Sequence, residues 1–545
     1  MTADGSKTSS SPVATAPKPP RGSDPESPLL ALMRKKWLAT LIGGAVCLIG
    51  AMIANRVWSI GFVSNDAGYF AYVHQLASDG YLPYRDYFVI HGPVTYWIAG
   101  IFERVFGDGV GRQVFGGIVI LLLMSSAAWL AVFAVGKDTE SDSDEARDPP
   151  RWLRFAAAGA VAAAVAGSWG RIIGFMPVGG RPKFLATALV MIAVGTLARR
   201  RPLLTGVLLG LACWTWQVAV FQATGLLLVW TIVSITRGRT QIGWVLLRVF
   251  AGGLLVSAVV SLIMLWQGVW PAFVEQVIEF PLKYQIDPWE ARNPGQPKPT
   301  GFLRLVWIAQ VGWTLLPKIV TAAAIVGLLS CLIVVFRERG RSRPEFALDF
   351  RWGIFAIFIS SYVQILFVAH GPGYAAPLLA PAGAMAGWVI GSFVAGRPWT
   401  KWAVFVVATA VAIAVIVIAA RPRRGDEPLR MVDFQRSAAP IIDLADGGEI
   451  LVVGDPILRA VVDGPPREFD IQWVLGRTNQ IAAEYPGGLE GFAAHLLSTR
   501  PPVVYLSERI GEFEPVMLAS MGDAYVEHPT VRWNGRPVYV LEERP

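Results

Sequence analysis

A chain of 545 residues would ordinarily make several soluble domains, yet 54% of its residues are hydrophobic, 16% are charged and the mean hydropathy is +0.47. That composition excludes a soluble globular enzyme and identifies a polytopic α-helical membrane protein. The net charge of +8 also does not point to nucleic acid: from Gly425 onward 10 basic residues stand against 19 acidic ones, so the positive excess lies between the hydrophobic runs, where it orients a membrane protein.

Residues 1–28 are rich in Ser, Pro, Ala and Thr and lack an apolar core, which predicts a disordered cytoplasmic tail and no cleaved signal peptide. A membrane-crossing helix needs roughly 20 apolar residues. By that ruler the runs Trp37–Asn55, Gln113–Val135, Trp152–Trp169, Phe184–Ala198, Leu203–Phe221, Ala223–Thr236, Val249–Gln267, Ile319–Phe336, Trp352–Ala369, Tyr374–Ala395 and Trp402–Ala420 make about eleven crossings within residues 29–420. Two longer apolar stretches must fold back, one near Gln217 to Gln222 and one at His370-Gly371-Pro372-Gly373, where glycine and proline break a helix.

Charge fixes the expected orientation. Lys35, Arg199 to Arg201, Arg237 with Arg239, Arg337 to Arg343 and Arg397 with Lys401 fall on one side, the cytoplasmic one, while Arg421, Arg423 and Arg424 fall outside. The alternation leaves residues 57–96, 170–183, 268–313 and everything after Ala420 on the outer side, as long non-helical stretches that gather the unusual residues. The three cysteines, Cys47, Cys213 and Cys331, lie inside apolar runs and support neither disulfides nor a thiolate metal site.

Residues 421–545 read as a small extracytoplasmic α/β domain. Strand-like runs at Ile450–Val453, Val503–Leu506, Ala524–Val526 and Val538–Leu541 alternate with helical stretches near Leu489–Thr499 and Ser507–Ser520. The Gly454-Asp455-Pro456 turn after the first strand carries one glycine, far short of a phosphate-binding fingerprint.

The first outer stretch is aromatic, glycine-rich and charged: Ser64-Asn65-Asp66, then Asp79 to Tyr87, then His91-Gly92-Pro93-Val94-Thr95-Tyr96-Trp97. Tyr69, Val73 and Leu76 share a face of a short helix suited to the membrane interface, with Asp66 at its start. Asp66 is either one of three N-cap types or a carboxylate placed to take a proton from an incoming hydroxyl. Arg85 and Asp86 form either a structural pair or part of a pocket. His91 is either a loop hydrogen-bond donor or an anion contact. Arg171, Arg181 and Lys183, around Gly179-Gly180, put cations on the outer side against the positive-inside bias, where they either snorkel to lipid phosphates or hold a ligand phosphate.

Taken together, Asp66 after the first membrane helix, Gly80 to Asp86, the turn Gly92 to Trp97, Phe106-Gly107 and Arg112 resemble the GT-C glycosyltransferases. The likeness is to the branch with bacterial protein mannosyltransferases and aminoarabinose or Rgt-type lipid A and core glycosyltransferases. The resemblance implies a polyprenyl-phosphate-linked sugar donor used at the outer membrane face. It implies that Asp66 is the base or orients the acceptor, and that His91, the basic residue before the proline turn, contacts the donor phosphate. Relatives often have Asp-Glu where this chain has Asn65-Asp66, and many have Arg-Pro-Asp where it has Arg181-Pro182-Lys183, so no acid is carried over to that second position.

The expectation is therefore an inverting glycosyltransferase of the plasma membrane with Asp66 as base. Asn65, Arg85, Asp86, His91, Arg181 and Lys183 contact substrate, the acceptor is a protein, lipid or glycan hydroxyl, and no cofactor or metal takes part. No Asp-x-Asp occurs in the first loop, and cations do what a divalent ion does elsewhere. The competing readings are a transporter or flippase of lipid-linked sugars, which should place ionisable groups near the membrane midplane, and an assembly scaffold, which needs no convergence of the outer loops.

Overall fold

The computed structural model describes residues 65–107, 109–139, 151–167, 179–284, 296–297, 345–367, 376–393, 431–462 and 476–542. The N-terminal tail, the runs Trp37–Asn55, Ile319–Phe336 and Trp402–Ala420, Arg171 and the His370 turn lie outside these residues. The other apolar runs fall on helices as far as they are described, with Leu203–Phe221 divided between two of them. In chain order these are α1 Asn65–Asp79, α2 Val94–Phe106, α3 Val110–Thr139, α4 Arg151–Ala166, α5 Pro182–Ala198, α6 Pro202–Thr215, α7 Ala219–Thr236 and α8 Ile242–Trp266. They continue with α9 Trp270–Phe273, a π-helical segment Val274–Glu279, α10 Phe280–Lys283, α11 Glu345–Phe367, α12 Ala376–Phe393 and α13 Met431–Ala445.

Among the described residues, Val110–Val135, Ala219–Thr236 and Ile242–Trp266 are long and apolar enough to cross a membrane by length and composition, and α4, α5, α6 and α12 carry shorter apolar stretches. The apolar side chains of α8 show why the chain needs lipid: Phe250 is 65% exposed, Leu254 70% and Trp266 85%. Leaving that much apolar surface in water would be strongly unfavourable.

Small residues let the bundle close. Gly383, Gly387 and Gly391 repeat every four residues along α12 and face α4, where a Cβ on Gly383 or Gly387 would run into the backbone carbonyls of Ala162 or Ala158. Gly206 of α6 and Gly252 of α8 make the same kind of approach between those helices. Such stripes allow close van der Waals packing where no hydrophobic effect drives helices together.

Three expectations shift. The first outer stretch is not a long loop: α1 and the start of α2 occupy much of it, and Tyr69, Val73 and Leu76 of α1 are buried in the bundle core rather than laid on the interface. The third outer stretch stays helical as far as Lys283. The break between α6 and α7 falls at residues 216–218, slightly before the expected position.

The C-terminal domain continues with β1 Ile450–Val453, α14 Pro456–Val461, α15 Arg477–Glu484, α16 Gly488–Leu497, β2 Val503–Leu506, α17 Phe513–Met521, β3 Tyr525–Trp533 and β4 Arg536–Leu541. The sheet order is β1-β2-β4-β3, with β1 and β2 parallel and the other pairs antiparallel. Helices α14 to α16 supply the crossover that a parallel pair requires. Asn534 and Gly535 both have positive φ, 50° and 78°, which closes the β3–β4 hairpin tightly. Both faces of the sheet are buried: Val452, Tyr505 and Val538 pack on α13 and α14, and Leu451, Val504 and Leu506 pack on α16 and α17.

Candidate active site

The joints on one end of the bundle converge around α1. Phe70 is the centre: the His91 ring lies 5.8 Å from its ring centroid, and the Arg181 guanidinium 5.5 Å. Arg181 reaches this place because it precedes α5 in extended conformation, with Pro182 starting the helix. Lys183, in the first turn of α5, is buried. Asn65 and Asp66 are the first described residues of α1; their side chains lie outside the described residues. Asp66 stands one helical turn before Phe70, inside the helix.

His91 is held on several sides. Its Nδ1 is 3.2 Å from the Tyr96 hydroxyl, and its carbonyl accepts from the Tyr84 hydroxyl at 2.6 Å. Gln217, in the α6–α7 break, donates to the neighbouring Ile90 carbonyl at 2.7 Å. Gly92 must be glycine: a Cβ there would collide with the Trp214 carbonyl. Gln276 of the π segment accepts from the Val89 amide at 3.0 Å and donates to the Tyr84 carbonyl at 2.7 Å. A loop pinned by three separate elements presents His91 with little freedom to move, which is the preorganisation a charge-stabilising group needs.

The Gly80–Asp86 stretch folds on itself. The Asp86 carboxylate accepts from the Leu82 amide at 2.7 Å and from Arg85 at 2.8 and 3.0 Å. The Arg85 side chain is 57% exposed. Burial pushes the Asp86 carboxyl up, but the Arg85 and Leu82 hydrogen bonds and the Arg85 charge together hold it below the usual carboxylate range. Burial also drives the Tyr84 and Tyr87 phenols well above their ordinary range, so both stay neutral at any physiological pH, and Tyr84 donates to the His91 carbonyl. Tyr84 adopts φ 72°, an uncommon left-handed conformation for a side chain of that size. Thus Asp86 closes the turn that delivers Tyr84 to His91, while Arg85 faces solvent beside it.

Arg112 and Glu103 form a buried ion pair at 2.5 Å that locks α2 against α3, and Arg112 also donates to the Ala71 carbonyl at 2.9 Å. These contacts give Arg112 a positioning role toward α1.

The C-terminal domain roofs the same end. Ile457 of α14 packs where a side chain on Gly68 would stand, and Arg459, 3% exposed, donates to the Tyr72 hydroxyl at 2.9 Å. The Arg477 guanidinium lies 4.2 Å from the Phe88 ring centroid, and Gln480 donates to Glu275 at 3.1 Å. The Gly454-Asp455-Pro456 turn is structural: Asp455 accepts from the Ile457 and Leu458 amides and from the Trp533 indole, each at 2.9 Å.

Sequence reasoning passed over His74, Gln217, Gln276, Arg459 and Arg477. Only His74 carried a signal, since it repeats the α1 face of Asp66 and Phe70 at helical spacing. The rest act across hundreds of residues.

By sequence, no family model and no curated protein matches the chain. By structure, it is similar to the crystal structure of ArnT from Cupriavidus metallidurans bound to undecaprenyl phosphate, with TM-score 0.52 and 12% identity over 92% of this chain and 97% of that one. It has the ArnT fold. ArnT belongs to the GT-C enzymes that the first-loop motifs resemble, and its fold accounts for both the helical membrane part and the C-terminal α/β region of this chain. The ArnT structure in the apo state is also similar, with TM-score 0.47 and 15% identity over 93% of this chain and 98% of that one.

Proposed function

We propose that the chain is an integral-membrane glycosyltransferase that moves a sugar from a polyprenyl-phosphate donor to a hydroxyl of a protein, lipid or envelope glycan, at the outer face of the plasma membrane. The observation that carries this reading is the meeting of His91 and Arg181 on Phe70, one turn from Asp66. The undecaprenyl phosphate named with ArnT supports a donor of that class.

In an inverting transfer the acceptor oxygen attacks the anomeric carbon while the bond from that carbon to the phosphate oxygen breaks. The bonding pair leaves on the phosphate, whose charge grows from one negative to two, and the acceptor proton passes to the base. The polyprenyl phosphate is already a good leaving group. The protein therefore needs a base behind the acceptor, Asp66, and fixed cations on the departing phosphate, Arg181, Lys183 and His91. Asn65, Arg85 and Asp86 shape the rim of the pocket. The reaction asks nothing of a divalent ion in this scheme.

A transporter would place its ionisable groups at mid-membrane. Buried Arg154 instead stands in the first turn of α4, and buried Arg351 lies over the Trp388 ring at 4.8 Å. The full chain, purified gently, should carry a sugar-bearing polyprenyl phosphate detectable by mass spectrometry, and should release polyprenyl phosphate when an acceptor is glycosylated. Movement of intact donor across vesicles with no loss of sugar would support the flippase instead.

A further inference from the structure

The turn from His91 into α2 folds back on itself. Gly92 passes against the Trp214 carbonyl, Pro93 precedes α2, and Tyr96 is the third residue of that helix. The Tyr96 side chain is fully buried, and its hydroxyl returns to His91 Nδ1 at 3.2 Å. The Tyr96 ring also packs against the His74 ring of α1, with centroids 6.0 Å apart, which fixes where the hydroxyl stands.

Two phenols hold different parts of His91. The Tyr84 hydroxyl donates to the backbone carbonyl and so places the loop. The Tyr96 hydroxyl meets the ring itself, and the partner of one imidazole nitrogen sets the role of the other. Burial, with the Tyr69 phenol beside it, pushes the Tyr96 phenol well above its ordinary range, so it keeps its proton. It can donate to a bare Nδ1 or accept from a protonated one. When it donates to a neutral ring the imidazole hydrogen sits on Nε2, and in a cationic ring Nε2 carries a hydrogen as well. The remaining form, neutral with its hydrogen on Nδ1, would leave a lone pair at Nε2, which repels an anion.

We propose that Tyr96 is a positioning residue of the transfer site, holding the His91 ring through Nδ1 so that Nε2 presents a hydrogen to the donor phosphate. The role rests on the glycosyl-transfer reading above and adds to it the atom through which His91 acts. As the sugar leaves, the phosphate charge grows, and a donor already aimed at it stabilises that change without rearranging. A residue that only filled the core would need the Tyr96 ring and not its oxygen. Phenylalanine separates the two roles.

The test compares the full chain with Tyr96→Phe and Tyr84→Phe, using histidine labelled at its ring nitrogens for NMR in nanodiscs, together with transfer kinetics. The chain has five histidines, and the His91 signals are those lost in His91→Gln. Tyr96→Phe should shift the His91 Nδ1 signal and lower kcat/KM for a polyprenyl-phosphate-linked sugar by about tenfold or more, through both a higher KM and a lower kcat. Tyr84→Phe loosens the loop and should leave Nδ1 bonded. An Nδ1 signal unchanged in Tyr96→Phe, or moved equally by both variants, overturns the proposal. An active wild type matched by Tyr96→Phe overturns the positioning role alone; a wild type that neither transfers sugar nor binds a polyprenyl phosphate overturns the glycosyltransferase reading as well. If Tyr96→Phe does not fold, wild type decides. A hydrogen-bonded Nδ1, with an Nε2 signal that moves when a polyprenyl phosphate is added, supports the role, and an Nδ1 without a hydrogen bond overturns it.

Discussion

The His74 imidazole fills the space that a side chain on Gly179 would need. Gly179 also has φ +87°, so two independent constraints keep it glycine. Through this contact the joint before α5, which carries Arg181 and leads into Lys183, is seated directly on α1, and the cations are positioned by the helix that carries Asp66.

Replacing Gly179 with alanine should therefore cost more than replacing Gly268, which has φ +70° but nothing within 4 Å of a new Cβ. Gly268→Ala carries the backbone strain alone, about 1 kcal/mol. Gly179→Ala adds displacement of His74 and should lose both thermal stability and donor binding. Equal melting temperatures for the two variants would show that the contact does not constrain the joint.

The Arg459–Tyr72 bond predicts coupling between the C-terminal domain and the membrane part. Arg459→Ala leaves a buried phenol without its donor and should cost about 1–3 kcal/mol, while Tyr72→Phe removes the acceptor. A double-mutant cycle measured by thermal unfolding should show clear non-additivity. Additive effects would mean that this bond does not couple the domain to the membrane part.

Much of this arrangement was readable from residue order, and the unreadable part has a physical reason. Because those signals are local, apolar length located the described membrane helices and β-branched runs located the four described strands, though the third runs on to Trp533 past the expected Val526. The motif Gly80 to Asp86 announced a tight turn. That His91 would be fixed by Gln217 and Gln276 was not legible, since no local pattern marks a glutamine whose partner is 127 or 187 residues away. The burial of Tyr69, Val73 and Leu76 was misjudged for a related cause: an amphipathic face reads the same whether it meets lipid or another part of the chain.

Asp86 gives a pH dependence with a definite sign. Its carboxyl is held below the ordinary value in the folded chain, so its contribution is complete above about pH 4, the unfolded value, and is lost as pH falls through the lower folded value. Partial exposure keeps the effect small. Thermal stability should be insensitive to this group between roughly pH 5 and 9, and Asp86→Asn should remove part of the acid-side loss. An Asp86→Asn variant whose acid limb matches wild type would assign that loss to other carboxylates.

Orientation follows from the two ends of the bundle. On intact cells an impermeant thiol reagent should label a cysteine at Thr530, exposed on β3, and should not label one at Thr240, exposed in the α7–α8 joint. The reverse pattern would put the candidate site in the cytoplasm.

The most direct measurement compares Asp66→Asn and Arg181→Ala with wild type in a transfer assay using purified, folded full chain and a polyprenyl-phosphate-linked sugar. Loss of the base should lower turnover by about a hundredfold or more with donor binding retained. Arg181→Ala should weaken donor binding and slow transfer by about tenfold or more, and activity should persist in EDTA. Wild-type turnover in both variants would contradict the account, as would full loss in EDTA with rescue by a divalent ion for its metal-free chemistry.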